Sequence, residues 1–97
     1  MFEIEFTSEA EQDLKWFRKN EQNVILDAIE AQLLYEPTIE TRNLKRLRPN
    51  QMAEWELRVG KFRIFYDVDN QMRIVSLEAI GLKIGSNMFF RGKERKL

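Results

Sequence analysis

From Ala53 to Asp69 the chain reads AEWELRVGKFRIFYDVD, with apolar and polar residues alternating on both sides of a Gly-Lys pair. A period of two predicts strands with one buried face. Gly60-Lys61 suits a two-residue turn in which Gly takes the first, positive-φ position. The predicted hairpin joins strands at about 53–59 and 62–68 and pairs Val59 with Phe62, Leu57 with Ile64 and Trp55 with Tyr66 on one apolar face. On its other face Arg58 meets Arg63, Glu56 meets Phe65 and Glu54 meets Asp67. Turn and pattern specify this register independently. A third strand over 72–80, after a turn near Asp69-Asn70, would set Ile64 beside Val75, Phe62 beside Leu77 and Arg63 beside Ser76.

FEIEF, residues 2–6, alternates in the same way and predicts a strand with Phe2, Ile4 and Phe6 inward. A helix should follow, opened by Ser8 and Glu11 as a capping box and carrying Ala10, Leu14 and Phe17 as one apolar stripe to about Lys19-Asn20. A second helix spans about 22–35 with Leu26, Ile29 and Leu33 on one face, and Pro37 ends it. Residues 38–52, with the basic run RNLKRLR and a Pro49-Asn50 turn signal, predict irregular structure pinned by Leu44 and Leu47. LKIGSNMFFRGKERKL after Gly81 predicts a loop, a short extended segment and a basic tail. The expected fold class is α+β: an N-terminal strand, an antiparallel helical hairpin, then a three-strand antiparallel block, with the helices on one face of the sheet. At 97 residues without repeat or linker, the expectation is a single domain over 1–97.

Composition narrows the chemistry. There is no cysteine, so no disulfide or thiolate zinc site, and no histidine, the commonest general base and metal ligand. No cofactor or metal is expected. No apolar run approaches the roughly 20 residues that cross a bilayer, and the start lacks a basic-then-apolar signal pattern, so a soluble cytoplasmic protein is expected. Net charge is zero, yet residues 1–41 hold three basic against ten acidic side chains and residues 42–97 thirteen against six. Such asymmetry marks either a surface for nucleic acid or an acidic partner, or two halves that neutralise each other in the fold.

The second sheet face collects Glu54, Glu56, Arg58, Arg63, Phe65, Asp67, Ile74 and Ser76. Like charges directly across strands destabilise a sheet, so Arg58 opposite Arg63 asks for a compensating group. An anion is one answer: guanidinium geometry suits phosphate, and Arg42, Lys45, Arg46 and Arg48 nearby add to an RNA-attracting field. Exposed ion pairs with Glu56, worth about 0–1 kcal/mol, are the other. Spacing leaves both open. Phe65 and Ile74 imply that something covers this face, either Met88, Phe89 and Phe90 of the same chain or a partner's peptide. Trp16, off the helical core stripe, is a further candidate for an interface.

With NLKRL, then WELRVGKFRIFYDVD, a hydrophobic strand and AIGLKIG, nearly the whole chain resembles the RelE/ParE toxin superfamily of type II toxin–antitoxin modules, the RelE-like branch in particular. For RelE-like members the resemblance implies a ribosome-dependent mRNA endonuclease that works without a metal: the RNA 2′-hydroxyl attacks the adjacent phosphate while basic side chains neutralise developing charge. Positioning and electrostatics carry such chemistry. On this resemblance Arg63 falls on the hairpin arginine of the family, Arg58 on another basic position of the hairpin, and Lys83 near a basic position of the last loop. Glu54 and Glu56 stand where RelE-like sequences carry two lysines, and Phe89 where a catalytic tyrosine is common. Some relatives use a glutamate as general base, a role open here to Glu54 or Glu56, with Glu56 the candidate taken forward. The implied partners are a cognate antitoxin, with Phe65 and Ile74 as its anchors, and the ribosome with mRNA. The alternatives are a ParE-like inhibitor that binds DNA gyrase and an inactive toxin fold that retains antitoxin binding.

Overall fold

The computed structural model describes residues 1–97. Its elements are β1 (Glu3–Phe6), α1 (Ser8–Trp16), α2 (Lys19–Leu33), β2 (Leu44–Arg46), β3 (Trp55–Val59), β4 (Phe62–Asp69), β5 (Ile74–Ile84), β6 (Asn87–Phe90) and β7 (Lys93–Arg95). β2 to β7 lie side by side in chain order and antiparallel, and β1 joins β5 in parallel. β5 is long enough to serve two neighbours on one side: Ile74–Leu77 takes β1 and Leu82–Ile84 takes β6. The two helices pack against this sheet, and the class is α+β.

The β3–β4 hairpin has the predicted register at every pair from Trp55↔Tyr66 to Val59↔Phe62, and Gly60 holds a φ of +55° at the turn. The next connection is different. β4 runs to Asp69, which pairs with Ile74, so the link is the four-residue loop 70–73 instead of a tight turn at Asp69-Asn70. Asp69 Oδ1 organises it by accepting from the amides of Gln71 and Met72, both at 3.0 Å. A bulge then leaves Glu78 unpaired, between Leu77↔Tyr66 and Ala79↔Phe65. Ile64 therefore faces Ile80, Phe62 faces Leu82 and Arg63 faces Gly81, in place of the Val75, Leu77 and Ser76 pairings expected. Without the extra residue, Val75 and Leu77 would sit on one face and Ile80 and Leu82 on the other. The bulge keeps all four with the helices.

Thr7, not Ser8, caps α1: its Oγ1 accepts from the Ala10 amide at 3.1 Å and donates to the Leu77 carbonyl at 2.9 Å. The helix ends at Trp16, earlier than its apolar stripe suggests, because Phe17 and Arg18 turn extended before α2 begins. In α2 the buried stripe is Ile25, Ile29 and Leu33, while Leu26 lies at the exposed margin. Pro37 is fully buried beyond it, and its carbonyl accepts from the Tyr66 hydroxyl at 2.6 Å. The main core joins these residues to Phe2, Phe17, Trp55, Leu57, Ile64 and Leu77.

A second, smaller core lies on the opposite face, where Phe65, Ala53, Ala79 and Phe90 are buried with Leu47, Met52 and Met88 against them. The cover is the chain's own. The expected loop and tail form β6 and β7, and the expected irregular segment contributes β2. Gly81 makes this packing possible: a β-carbon there would come within 2.7 Å of Phe90 Cε1, 2.9 Å of Met88 Cε and 3.0 Å of the Phe89 carbonyl oxygen.

Asp13, on α1, is only 2% exposed. One of its carboxylate oxygens accepts from the Ile80 amide at 2.9 Å, and the other pairs with Arg91 Nε at 3.0 Å. Burial raises its pKa; the Ile80 hydrogen bond and the Arg91 charge pull back without cancelling the rise. The folded state thus holds the Asp13 proton more tightly than the unfolded chain does. That contribution is fully present below the unfolded-chain pKa of about 4 and is lost as pH rises through the folded value. Denaturant midpoints measured across pH 4–7 should therefore show a downward component with rising pH that Asp13→Asn lacks.

Candidate active site

Three strands bring the predicted catalytic residues to the face that carries the smaller core. Glu56 and Arg58 come from β3, Arg63 from β4 and Lys83 from the far end of β5. Arg58 and Arg63 are direct partners, as expected, and Gly81 follows in the same row on β5. Their mutual repulsion is compensated within the chain. Arg58 Nε pairs with Glu56 Oε1 at 2.8 Å. Arg63 Nη1 donates to the carbonyls of Gly60 at 2.7 Å and Phe62 at 2.9 Å. Burial pulls the Arg63 pKa down; the Glu56 charge works against that fall and the Arg58 charge adds to it. Of the two sequence-level answers, the structure realises the carboxylate pair and adds backbone carbonyls. Arg58 keeps both terminal nitrogens free of intramolecular partners.

Glu56 is 7% exposed. It opens into a concavity of about 320 Å³ lined also by Lys83, Ser86, Asn87, Arg95 and Lys96. Two of the four predicted catalytic residues thus share one hollow; Arg58, bonded to Glu56, and Arg63, bonded to the Gly60 and Phe62 carbonyls, do not line it. Arg95 and Lys96 are not among the residues that the sequence predicts for the site. Gly85-Ser86 and Arg91-Gly92 are two-residue turn signals between short extended runs, and reading them as hairpins places β7 and its charges across from Lys83. Glu94 lines the same hollow, so its charge is mixed.

The basic run divides. Lys45 lies beside Glu56 in the β2–β3 register and so belongs to the site's face. Arg46 pairs with Glu54 at 3.3 Å and lies over the Trp55 ring at 5.4 Å from its centroid. Arg42 and Arg48 are exposed and outside the hollow. The two proposed antitoxin anchors also part. Phe65 is fully buried, its ring 5.8 Å from that of Phe90, and offers no surface to a partner. Ile74 is half-buried at the start of β5. Trp16 is 51% exposed, edge-on to Phe17 and close to Gly92.

No group of three metal-ligating side chains forms. The hollow offers two carboxylates, Glu56 with one oxygen free and Glu94, together with several cations and no imidazole or thiol. Such a set can hold a phosphodiester by charge and accept one proton from a hydroxyl beside it. No helix is long and apolar enough to cross a membrane.

The architecture is that of the RelE/ParE toxin superfamily. Over 84% of this chain and 98% of the other it superposes on a chain of the toxin–antitoxin complex RelBE2 from Mycobacterium tuberculosis, with a TM-score of 0.73 at 22% identity. An archaeal RelE–RelB complex from Pyrococcus horikoshii OT3 gives 0.59 at 13% identity over 81% and 91%. The YoeB dimer from Staphylococcus aureus gives 0.53 at 19% over 78% and 90%. At the level of sequence, residues 4–82 match the family model described as the ParE toxin of the type II toxin–antitoxin system parDE, and the chain belongs to that family. No curated protein sequence matches it.

Proposed function

We propose that this toxin is a ribosome-dependent mRNA endonuclease, neutralised by a cognate antitoxin, and that it cuts RNA at the hollow shared by Glu56 and Lys83. The observation that carries the reading is the meeting of a nearly buried carboxylate with Lys83, Arg58 and Arg63 on one sheet face. Glu56 Oε1 is committed to Arg58, which leaves Oε2 to take the proton of the RNA 2′-hydroxyl. The 2′ oxygen then bonds to phosphorus, and the bond from phosphorus to the 5′ oxygen breaks. The products are a 2′,3′-cyclic phosphate and a 5′-hydroxyl whose proton comes from water. Lys83 and the free nitrogens of Arg58, with Arg63 beside them, offset the charge that builds on the phosphate oxygens. Lys45, Arg42, Arg46 and Arg48 steer RNA toward this face. Structural likeness to RelE–RelB and RelBE2 complexes supports the antitoxin partner, and Ile74 is the anchor that remains for it.

The ParE description of the matching family favours a second reading, a binder of DNA gyrase. Expression with and without the adjoining antitoxin frame separates the two. The nuclease reading expects growth arrest with cuts in ribosome-bound mRNA; arrest with induced DNA damage supports gyrase, and no arrest an inactive fold. Arg63→Ala should abolish most of the cutting, and cleavage unchanged in that variant removes the site assignment.

A further inference from the structure

The turn between β6 and β7 is tied to α1 by a side chain that the chemistry above does not use. Arg91 sits at the turn with a φ of +50°, a left-handed conformation that costs a residue with a β-carbon. Its guanidinium crosses to α1 and meets three side chains at helical spacing: Glu9 at 2.6 Å, Gln12, and Asp13 at 3.0 Å. Asp13 in turn holds the Ile80 amide, next to the Gly81 that admits Phe90 and Met88. One polar network therefore joins the first helix, the middle of β5 and the β6–β7 turn.

The hairpin has few other attachments. β6 meets the sheet through three pairs, Leu82↔Phe89 to Ile84↔Asn87, and β7 pairs with β6 alone. Phe90 anchors it from beneath, with Arg95 over the ring. Yet this hairpin carries Arg95, and with Lys96 it forms the wall of the hollow across from Glu56 and Lys83. Small displacements of β7 alter that wall directly.

We infer that Arg91 is a positioning residue: by clasping α1 it fixes the β6–β7 hairpin and so holds Arg95 and Lys96 against the site. The inference rests on the nuclease reading and adds those two cations to the groups that meet RNA. Arg91 itself does not line the hollow.

The test compares wild type, Arg91→Ala and Arg91→Lys as full-length proteins on ribosomes programmed with mRNA, reading kcat and KM together with amide exchange and thermal melting. Arg91→Ala should lower kcat by about tenfold or more, as misplaced catalytic groups do. Amides of 87–95 should exchange about tenfold faster while those of β3 and β4 stay protected, the mark of local opening. Arg91→Lys can keep one bond to Asp13 but cannot span three acceptors, and should fall between on both readouts. It carries the test if the alanine variant does not fold. A role in stability alone would lower the melting temperature and leave kcat per folded molecule unchanged; that result, or unchanged exchange in the hairpin, overturns the inference. A wild type that cuts no ribosome-bound mRNA sinks the nuclease reading and takes this role with it. An active wild type matched by Arg91→Ala removes the positioning role only.

Discussion

Glu56→Gln should reduce ribosome-dependent cleavage by roughly 10²- to 10⁴-fold, the range a general base contributes, while the protein stays folded. The amide keeps the shape of the carboxylate and an oxygen that can still accept from Arg58 Nε, so packing on β3 is preserved. What it loses is the capacity to take a proton and the negative charge that offsets two arginines. The second loss makes the face more positive, so KM should hold or fall while kcat collapses. That split separates a proton acceptor from a residue that merely orders Arg58. Glu54→Gln is the matched control: Glu54 pairs with Arg46 at the exposed surface and lies outside the hollow. Its cleavage rate should stay within about twofold of wild type, as surface ion pairs contribute little. Single-turnover rates with purified protein on programmed ribosomes measure both.

Gly81→Val should be the most damaging single change to the fold. The added side chain enters a space already held by the Phe90 ring, the Met88 methyl and the Phe89 backbone, the last of which cannot rotate away. Overpacking of this kind costs about 3 kcal/mol. For a chain of this length that lowers Tm by about 12–24 °C. The damage should fall on the smaller core first, because Phe90 must lift from Phe65. Thermal melting followed by near-ultraviolet circular dichroism reads both the shift and the lost aromatic packing. A Tm within a few degrees of wild type would mean that the β6–β7 hairpin is not held against Gly81 as described.

The hairpin at the centre of the site was legible because two independent signals coincide there: a Gly-Lys turn and six apolar residues that can share a face only in one register. The strand after it was misplaced by a residue pattern that is itself correct. Val75, Leu77, Ile80 and Leu82 cannot alternate on one face without an interruption, and the interruption at Glu78 is visible in the spacing once a bulge is considered. Asp13 stayed hidden for a different reason. On an exposed helix an aspartate one turn before Phe17 looks like solvent-facing charge, and only the fold brings Ile80 and Arg91 to it, 67 and 78 positions further along. Separation in sequence also conceals Arg95 and Lys96, because their strands are short and the pattern around them reads as a tail. Phe65 illustrates the converse. Its apolar character on a mixed face rightly implied a cover, and the cover proved to be Phe90 from the same chain.

The charge asymmetry along the sequence acquires a spatial meaning. The acidic first part forms β1 and the helical layer, and the basic remainder forms β2 to β7 with the hollow on their far side.

Cutting through a 2′-hydroxyl demands that hydroxyl, so the decisive measurement replaces one atom of the substrate. Purified toxin is mixed with ribosomes carrying an mRNA whose scissile nucleotide is either ribose or 2′-deoxyribose, and the cut ends are mapped. This mechanism requires cleavage of the ribose message, leaving a 2′,3′-cyclic phosphate and a 5′-hydroxyl, and none at the deoxy position. Equal cleavage of both messages, or no cleavage of either by folded wild-type protein, would contradict it.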